Sequence, residues 1–192
     1  MVKLLAEKYK GIACEENYQD SLLNDLDKKQ FPCLTYTRDL QDWHDFIRRT
    51  PNDYEAWYDG ASRECEKLEL QILSKLANQN KKVFVDTNIS VETLRKIAPK
   101  KHVIIMLTDP HTSVNRFFER PDKEKQFLYR LLMNDKNPEQ AMENFRQCLM
   151  RINSQERYDA FLRSGFSIVL RDENRSIEET LSIVEELFGL HL

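Results

Sequence analysis

Glycine is scarce. Only four occur in 192 residues, at Gly11, Gly60, Gly165 and Gly189. Their spacing excludes any G-x-x-x-x-G-K-[ST] or G-x-G-x-x-G segment, the glycine-rich turns whose backbone N–H groups cradle phosphate. Long apolar runs are also missing. No stretch of about 18 apolar residues exists, so the sequence predicts no membrane span. The opening MVKLLAEKYKG has an apolar patch of only a few residues and no small-residue cleavage site, unlike a signal peptide. A cytoplasmic location is the expectation. Basic runs and RNP-like motifs are absent. The net charge is −3, with both signs interspersed, so nucleic acid is not an expected partner. Cys14, Cys33, Cys65 and Cys148 stand far apart with no C-x-x-C pair. No histidine lies at ligand spacing from them, and buried free thiols are expected rather than zinc.

What is present fits one domain over residues 1–192. The apolar fraction of 41% is enough for a core. Three short aliphatic segments read as buried strands: Val83–Val85 ending at Asp86, Val103–Leu107 ending at Thr108-Asp109, and Phe166–Leu170 ending at Arg171-Asp172. Continuous runs this short suit a parallel sheet covered on both faces. Gly11–Cys14 is a fourth candidate.

Helices lie between them. Asp109-Pro110 is a capping Asp with Pro at the first helical position. Asn137-Pro138-Glu139-Gln140 repeats that logic with Gln at the capping-box position. Ser176-Ile177-Glu178-Glu179 is a second box. It opens a helix with Ile177, Leu181, Val184 and Phe188 on one face, closed by Gly189. Residues 52–78 form a long helix with Leu68, Ile72 and Leu76 along its apolar stripe. Residues 2–9 read as a helix with neither a capping residue nor a strand before it. Strands alternating with helices predict βαβ units.

This order is similar to the small-molecule and nucleoside-monophosphate kinase branch of the P-loop proteins, the shikimate kinase-like group included. VKLLAEKY at 2–9 resembles the helix after that family's phosphate loop. GIACEE at 11–16 resembles its second strand, ending in an acidic pair near the acceptor substrate. Gln30-Phe31-Pro32 and Trp43 fall in the acceptor-binding helices. KVFVDTN at 82–88 resembles the strand whose acid faces magnesium, and HVIIMLTDP at 102–110 the strand before the lid. VNRFFERPDKEKQFLYR carries arginines where the family has lid arginines, and GFSIVLRDENRSIEETLSIVEELFGL resembles the last strand, the adenine loop and the last helix.

The resemblance implies a three-layer α/β fold with a parallel sheet, a helical acceptor-binding insertion at 17–80 and a helical lid at 110–163. It implies ATP and Mg2+ as cofactors, a small-molecule acceptor as partner, and phosphoryl transfer to a hydroxyl or phosphate. The family's first strand and phosphate loop would precede Met1. That strand is central, between the Val83 and Val103 strands. Without it two edges face a gap or pair with each other, and unsatisfied buried backbone groups cost about 1–3 kcal/mol each. Two expectations follow: a start placed at an internal Met, or a degenerate domain that binds a partner or small molecule and transfers nothing. The chain as written is expected not to transfer phosphate. An uncovered strand edge can pair with a second copy, so a homodimer is a further expectation.

The resemblance assigns roles to named residues. Glu15 of the Glu15-Glu16 pair is the candidate base; the plain alternative is a pair of exposed loop acids. Asp86, at the carboxyl end of a strand, is the candidate for magnesium or a water; the alternative is a helix cap. Arg116 and Arg120 share a helix face as candidate lid arginines; the alternative is solvated surface charge, the reading given to Lys123, Lys125 and Arg130. Arg171, Asp172 and Asn174 are candidates for the nucleotide base; a strand-to-helix turn explains the same letters. Trp43, Tyr54 and Trp57 either line an acceptor pocket or pack between helices.

Overall fold

The structure, a computed structural model, describes residues 1–119 and 121–190. It opens with α1 (Val2–Lys8), which runs into β1 (Ile12–Cys14). A 3-10 turn at Asp20–Asp25 leads to α2 (Pro32–Asp39), the short α3 (His44–Ile47) and α4 (Pro51–Leu76). Next come β2 (Val83–Val85), α5 (Val91–Ile97) and β3 (Ile104–Leu107). Four helices follow: α6 (Pro110–Asn115), α7 (Lys123–Met133), α8 (Pro138–Ile152) and α9 (Gln155–Leu162). The chain ends with β4 (Ser167–Leu170) and α10 (Ile177–Phe188).

Local chemistry explains the boundaries. Asp109, Asn137 and Ser176 each accept a hydrogen bond from a backbone N–H in the first turn of the helix they open. At Ser176 the box is reciprocal, with Glu179 accepting from the Ser176 N–H at 2.7 Å. At Asn137 it is not: the Asn137 N–H goes to Asp135, and Gln140 instead accepts from the Asn137 side chain. Gly189 closes α10 in the left-handed region at φ 63°. Gly11 allows a close approach: a Cβ there would stand 2.7 Å from the Lys82 carbonyl, which Ile12 N–H uses to start its ladder.

All four strand candidates form, in parallel pairs. β1 pairs with β2, Ala13 opposite Phe84, and β3 pairs with β4, Ile105 opposite Ile168. They do not make one sheet. Two separate two-stranded sheets result, with no ladder between β2 and β3. The strands are also shorter than the aliphatic runs. Val103 is spent closing a 3-10 turn on Lys100, and Phe166 N–H bonds to the Ser164 hydroxyl. Each inner strand therefore keeps one unpaired edge. Met106, in the middle of an aliphatic strand, is 51% exposed.

Helices hold the two sheets in one body. Leu5 and Ala6 bury the inner face of α1, and the Tyr9 ring packs on Phe84. Glu185 of α10 takes an ion pair from Lys8 at 2.7 Å and the Tyr9 hydroxyl at 3.0 Å. Below them the Arg95 guanidinium of α5 donates twice to the Ser164 carbonyl, at 3.0 and 2.7 Å.

The main apolar core lies elsewhere, among α3, α4, α6, α7 and α8. Phe46, Ile47, Tyr54, Val114, Leu132 and Phe145 fill it. Phe145 meets Tyr54 edge-on at 5.6 Å, and Phe117 and Phe118 tilt against its other side. The helices of the 17–80 and 110–163 segments thus share a core. The segment expected to be a mobile lid is largely built into it. Outside the core, Arg157 of α9 reaches Asp59 and Glu55 of α4 at 2.8 and 3.0 Å. No helix among the described residues is long and apolar enough to cross a membrane.

Candidate functional site

The carboxyl ends of β1 and β2 bring three predicted acids close together. The Asp86 N–H donates to the Cys14 carbonyl at 2.8 Å, so Asp86 stands beside the Glu15-Glu16 turn. Desolvation and the nearby Glu16 carboxylate push the Asp86 carboxyl above its usual pKa, against the lowering effect of the chain's N-terminal ammonium. Glu16, rather than the favoured Glu15, is the acid Asp86 feels. Glu15 is exposed and accepts the Tyr18 N–H through its carbonyl.

Beneath these acids lies a feature that sequence reasoning missed. Glu69 of α4 is 0% exposed. Its carboxylate accepts from the Thr87 hydroxyl, from Asn88 N–H at 3.2 and 3.0 Å, and from the Asn88 side-chain amide at 3.0 Å. It pins the residues directly after Asp86. Two further glutamates of α4 act alike. Glu64 accepts the N–H groups of Cys33 and Leu34 at the start of α2, at 3.0 and 2.8 Å. Glu66 accepts the Ser90 N–H at 3.1 Å and the Thr93 hydroxyl at the start of α5. Burial pushes the Glu66 carboxyl up, but these donors outweigh it and hold it below the usual range. One helix therefore anchors three other segments through buried or half-buried carboxylates. The only sequence signal was acids beside the apolar stripe of Leu68 and Ile72, which resemble any solvated acids in a chain with 32 of them.

The second predicted group gathers at the ends of β3 and β4. Arg116 pairs with Glu173, a second nitrogen reaching it at 3.2 Å, and with Glu119 at 3.6 Å. A candidate lid arginine is thereby tied to the candidate base loop. Arg120 lies outside the described residues. Arg171 is exposed, and its N–H extends the ladder to the Leu107 carbonyl at 2.7 Å. Asp172 folds the loop on itself by accepting Asn174 N–H at 2.9 Å. Asp172 and Asn174 border a shallow concavity of about 490 Å3, with Arg175 and Glu179. Among the described residues no hydrogen bond or ion pair joins this group to Glu15, Glu16 or Asp86.

A third place is a cavity of about 570 Å3 between α2, the α3–α4 turn and α4. Tyr36, Asp45, Arg49, Asp53 and Trp57 line it. The Arg49 guanidinium lies 4.1 Å from the Tyr36 ring centre and 5.8 Å from that of Trp57. Trp57 is the one predicted aromatic that reaches the cavity, its ring N–H donating to the Cys33 carbonyl at 3.0 Å. Tyr54 is buried in the core, and Trp43 packs edge-on to Phe46 and Phe127.

The residues near Asp86 do not fit a polyphosphate or its magnesium. The side-chain charges that bear on Asp86 are those of Glu16 and Glu69, both acidic. No group of three or more acids, histidines or cysteines is placed to hold a metal among the described residues. A bound polyphosphate needs cationic side chains and oriented N–H groups instead. Comparison of the chain with protein-family models, with curated proteins and with solved structures finds no match in any of the three.

Proposed function

We propose that this chain is a relative of ATP-dependent small-molecule kinases that keeps the acceptor side of the site and, as it stands, binds a small acceptor without transferring phosphate to it. The observation that carries this reading is the strand pairing. β1 lies beside β2 and β3 beside β4, all parallel, with one strand's place between the pairs. That is the family's expected strand order with the central strand left out. An added strand between β2 and β3 would turn the two sheets into one and give the three-layer fold.

In this reading Asp86 and the Glu15-Glu16 turn mark where the acceptor hydroxyl would meet the phosphoryl group. Arg116 and the Arg171–Asn174 loop mark the nucleotide side. The cavity beside Trp57 takes the acceptor. The acid-rich surroundings of Asp86 favour the binding role over catalysis, because like charges repel a polyphosphate. Titration with ATP and Mg2+, followed by calorimetry, tests this. Binding weaker than about 1 mM is expected, which corresponds to about −4 kcal/mol or less favourable. Micromolar affinity, or transfer of the terminal phosphoryl to any small hydroxyl compound, would refute the non-catalytic part.

A further inference from the structure

We infer that the cavity between α2 and α4 is a binding site for a small ring-bearing carboxylate, gripped at its charged end by Arg49. The inference deepens the acceptor reading above and rests on it for the ligand's role.

Arg49 carries the argument. Its guanidinium faces Tyr36 and lies near Trp57, and one nitrogen donates to the Asp53 carbonyl at 3.2 Å. Among the described residues no carboxylate forms an ion pair with it. A guanidinium has five N–H donors in a planar fork, so most of the fork stays available at the cavity. Aromatic packing against its face strips water there and leaves the edge as the bonding direction, which suits a planar carboxylate taken two-pronged. An arginine serving only as a surface charge would turn to solvent or to an acid.

Wall charge decides the ligand class. Arg49 faces two acids in the cavity lining, Asp45 and Asp53. A phosphate dianion would meet net repulsion, whereas a monoanion gains Arg49 at a smaller cost. The Asp53 carboxyl is already engaged by the Thr50 hydroxyl at 2.7 Å. Asp45 is exposed at the rim and can accept a hydroxyl or N–H of the ligand. The Trp57 ring N–H is spent on Cys33, so Trp57 offers the ligand only its ring surface. Pro32 and Ala56 add apolar wall, and a cavity of about 570 Å3 is the size of a small-molecule site.

The test uses the full chain without nucleotide, so its outcome is separate from that of the kinase reading. Trp43→Phe leaves Trp57 as the sole tryptophan reporter. Cyclohexanecarboxylate, its neutral carboxamide and inorganic phosphate are titrated in turn while Trp57 emission and the alkylation rate of Cys33 are followed. The carboxylate should change the emission saturably and slow alkylation several-fold. The carboxamide should do neither, and phosphate should bind more weakly than the carboxylate. Arg49→Met should lose the response and Arg49→Lys should weaken it. Ala56→Leu, which fills the cavity and leaves Arg49 in place, should also lose it and covers the case in which Arg49→Met does not fold. The inference is overturned if the carboxamide matches the carboxylate, if phosphate binds more tightly, if no probe saturates, or if folded Arg49→Met or Ala56→Leu responds as before. A positive result together with tight ATP binding would keep the site and remove the non-catalytic reading.

Discussion

Replacing Glu69 by leucine should release the segment that follows β2 and measurably weaken the fold. The carboxylate is fully buried, and its partners are the Thr87 hydroxyl and the backbone and side-chain N–H groups of Asn88. Asn88 is exposed, so its side-chain amide can turn to water. The Thr87 hydroxyl and the Asn88 N–H cannot do so without opening the loop. Two stranded donors at about 1–3 kcal/mol each cost about 2–6 kcal/mol. Burying leucine in place of the carboxylate returns about 1.5–3 kcal/mol. The net loss is about 2 kcal/mol, or about 4–8 °C in Tm for a chain of this size. Glu69→Gln keeps one acceptor oxygen and should fall between wild type and Glu69→Leu. Urea unfolding gives the stability, and amide hydrogen exchange read at Asn88 gives the local effect. Unchanged stability in Glu69→Leu, with Asn88 still protected, would refute the claim that Glu69 pins this segment.

Three further outcomes follow from the packing and the charges. Phe145→Ala, at the centre of the helical core, should cost about 3–5 kcal/mol by urea unfolding; a loss below about 1 kcal/mol would mean that the core is not packed around this ring. Gly60→Ala should destabilise although alanine favours helix by up to about 1 kcal/mol, because the new Cβ would stand 2.3 Å from the Cys33 sulfur; adding Cys33→Ala should restore stability. Asp86→Asn should stabilise at neutral pH. The folded pKa of Asp86 is raised above the ordinary 3.8, so its favourable contribution is fully present below that value and is lost as pH rises through the folded pKa. Urea midpoints of variant and wild type should differ at pH 7 and converge at about pH 3; a variant less stable at pH 7 would reverse the sign.

Much of the fold was legible because its signals are local. The caps at Asp109, Asn137 and Ser176, the αL residue Gly189 and the four aliphatic strands are each set by a few neighbouring residues. The split of the sheet is a pairing between distant segments, and an aliphatic run such as Ile104–Leu107 does not say which neighbour it finds. The anchoring glutamates were not legible for a related reason. Glu69 is buried only because α4 passes under the end of β2, a tertiary fact without a sequence period. The cavity hid similarly: Tyr36, Arg49 and Trp57 come from three separate segments. The predicted acids did converge, since Glu16 and Asp86 end adjacent paired strands. Arg116 met Glu173 rather than those acids, because the helices that follow it are held in the core with α4.

The central claim is that two parallel strand pairs lie in the order β1–β2 and β3–β4, with β2 and β3 unpaired to each other. Backbone NOEs on the isotope-labelled chain test it most directly. Parallel-strand contacts should link Ala13 with Phe84 and Ile105 with Ile168, and none should link Phe84 with Ile105. Antiparallel contacts within either pair, or a direct ladder from β2 to β3, would contradict the account.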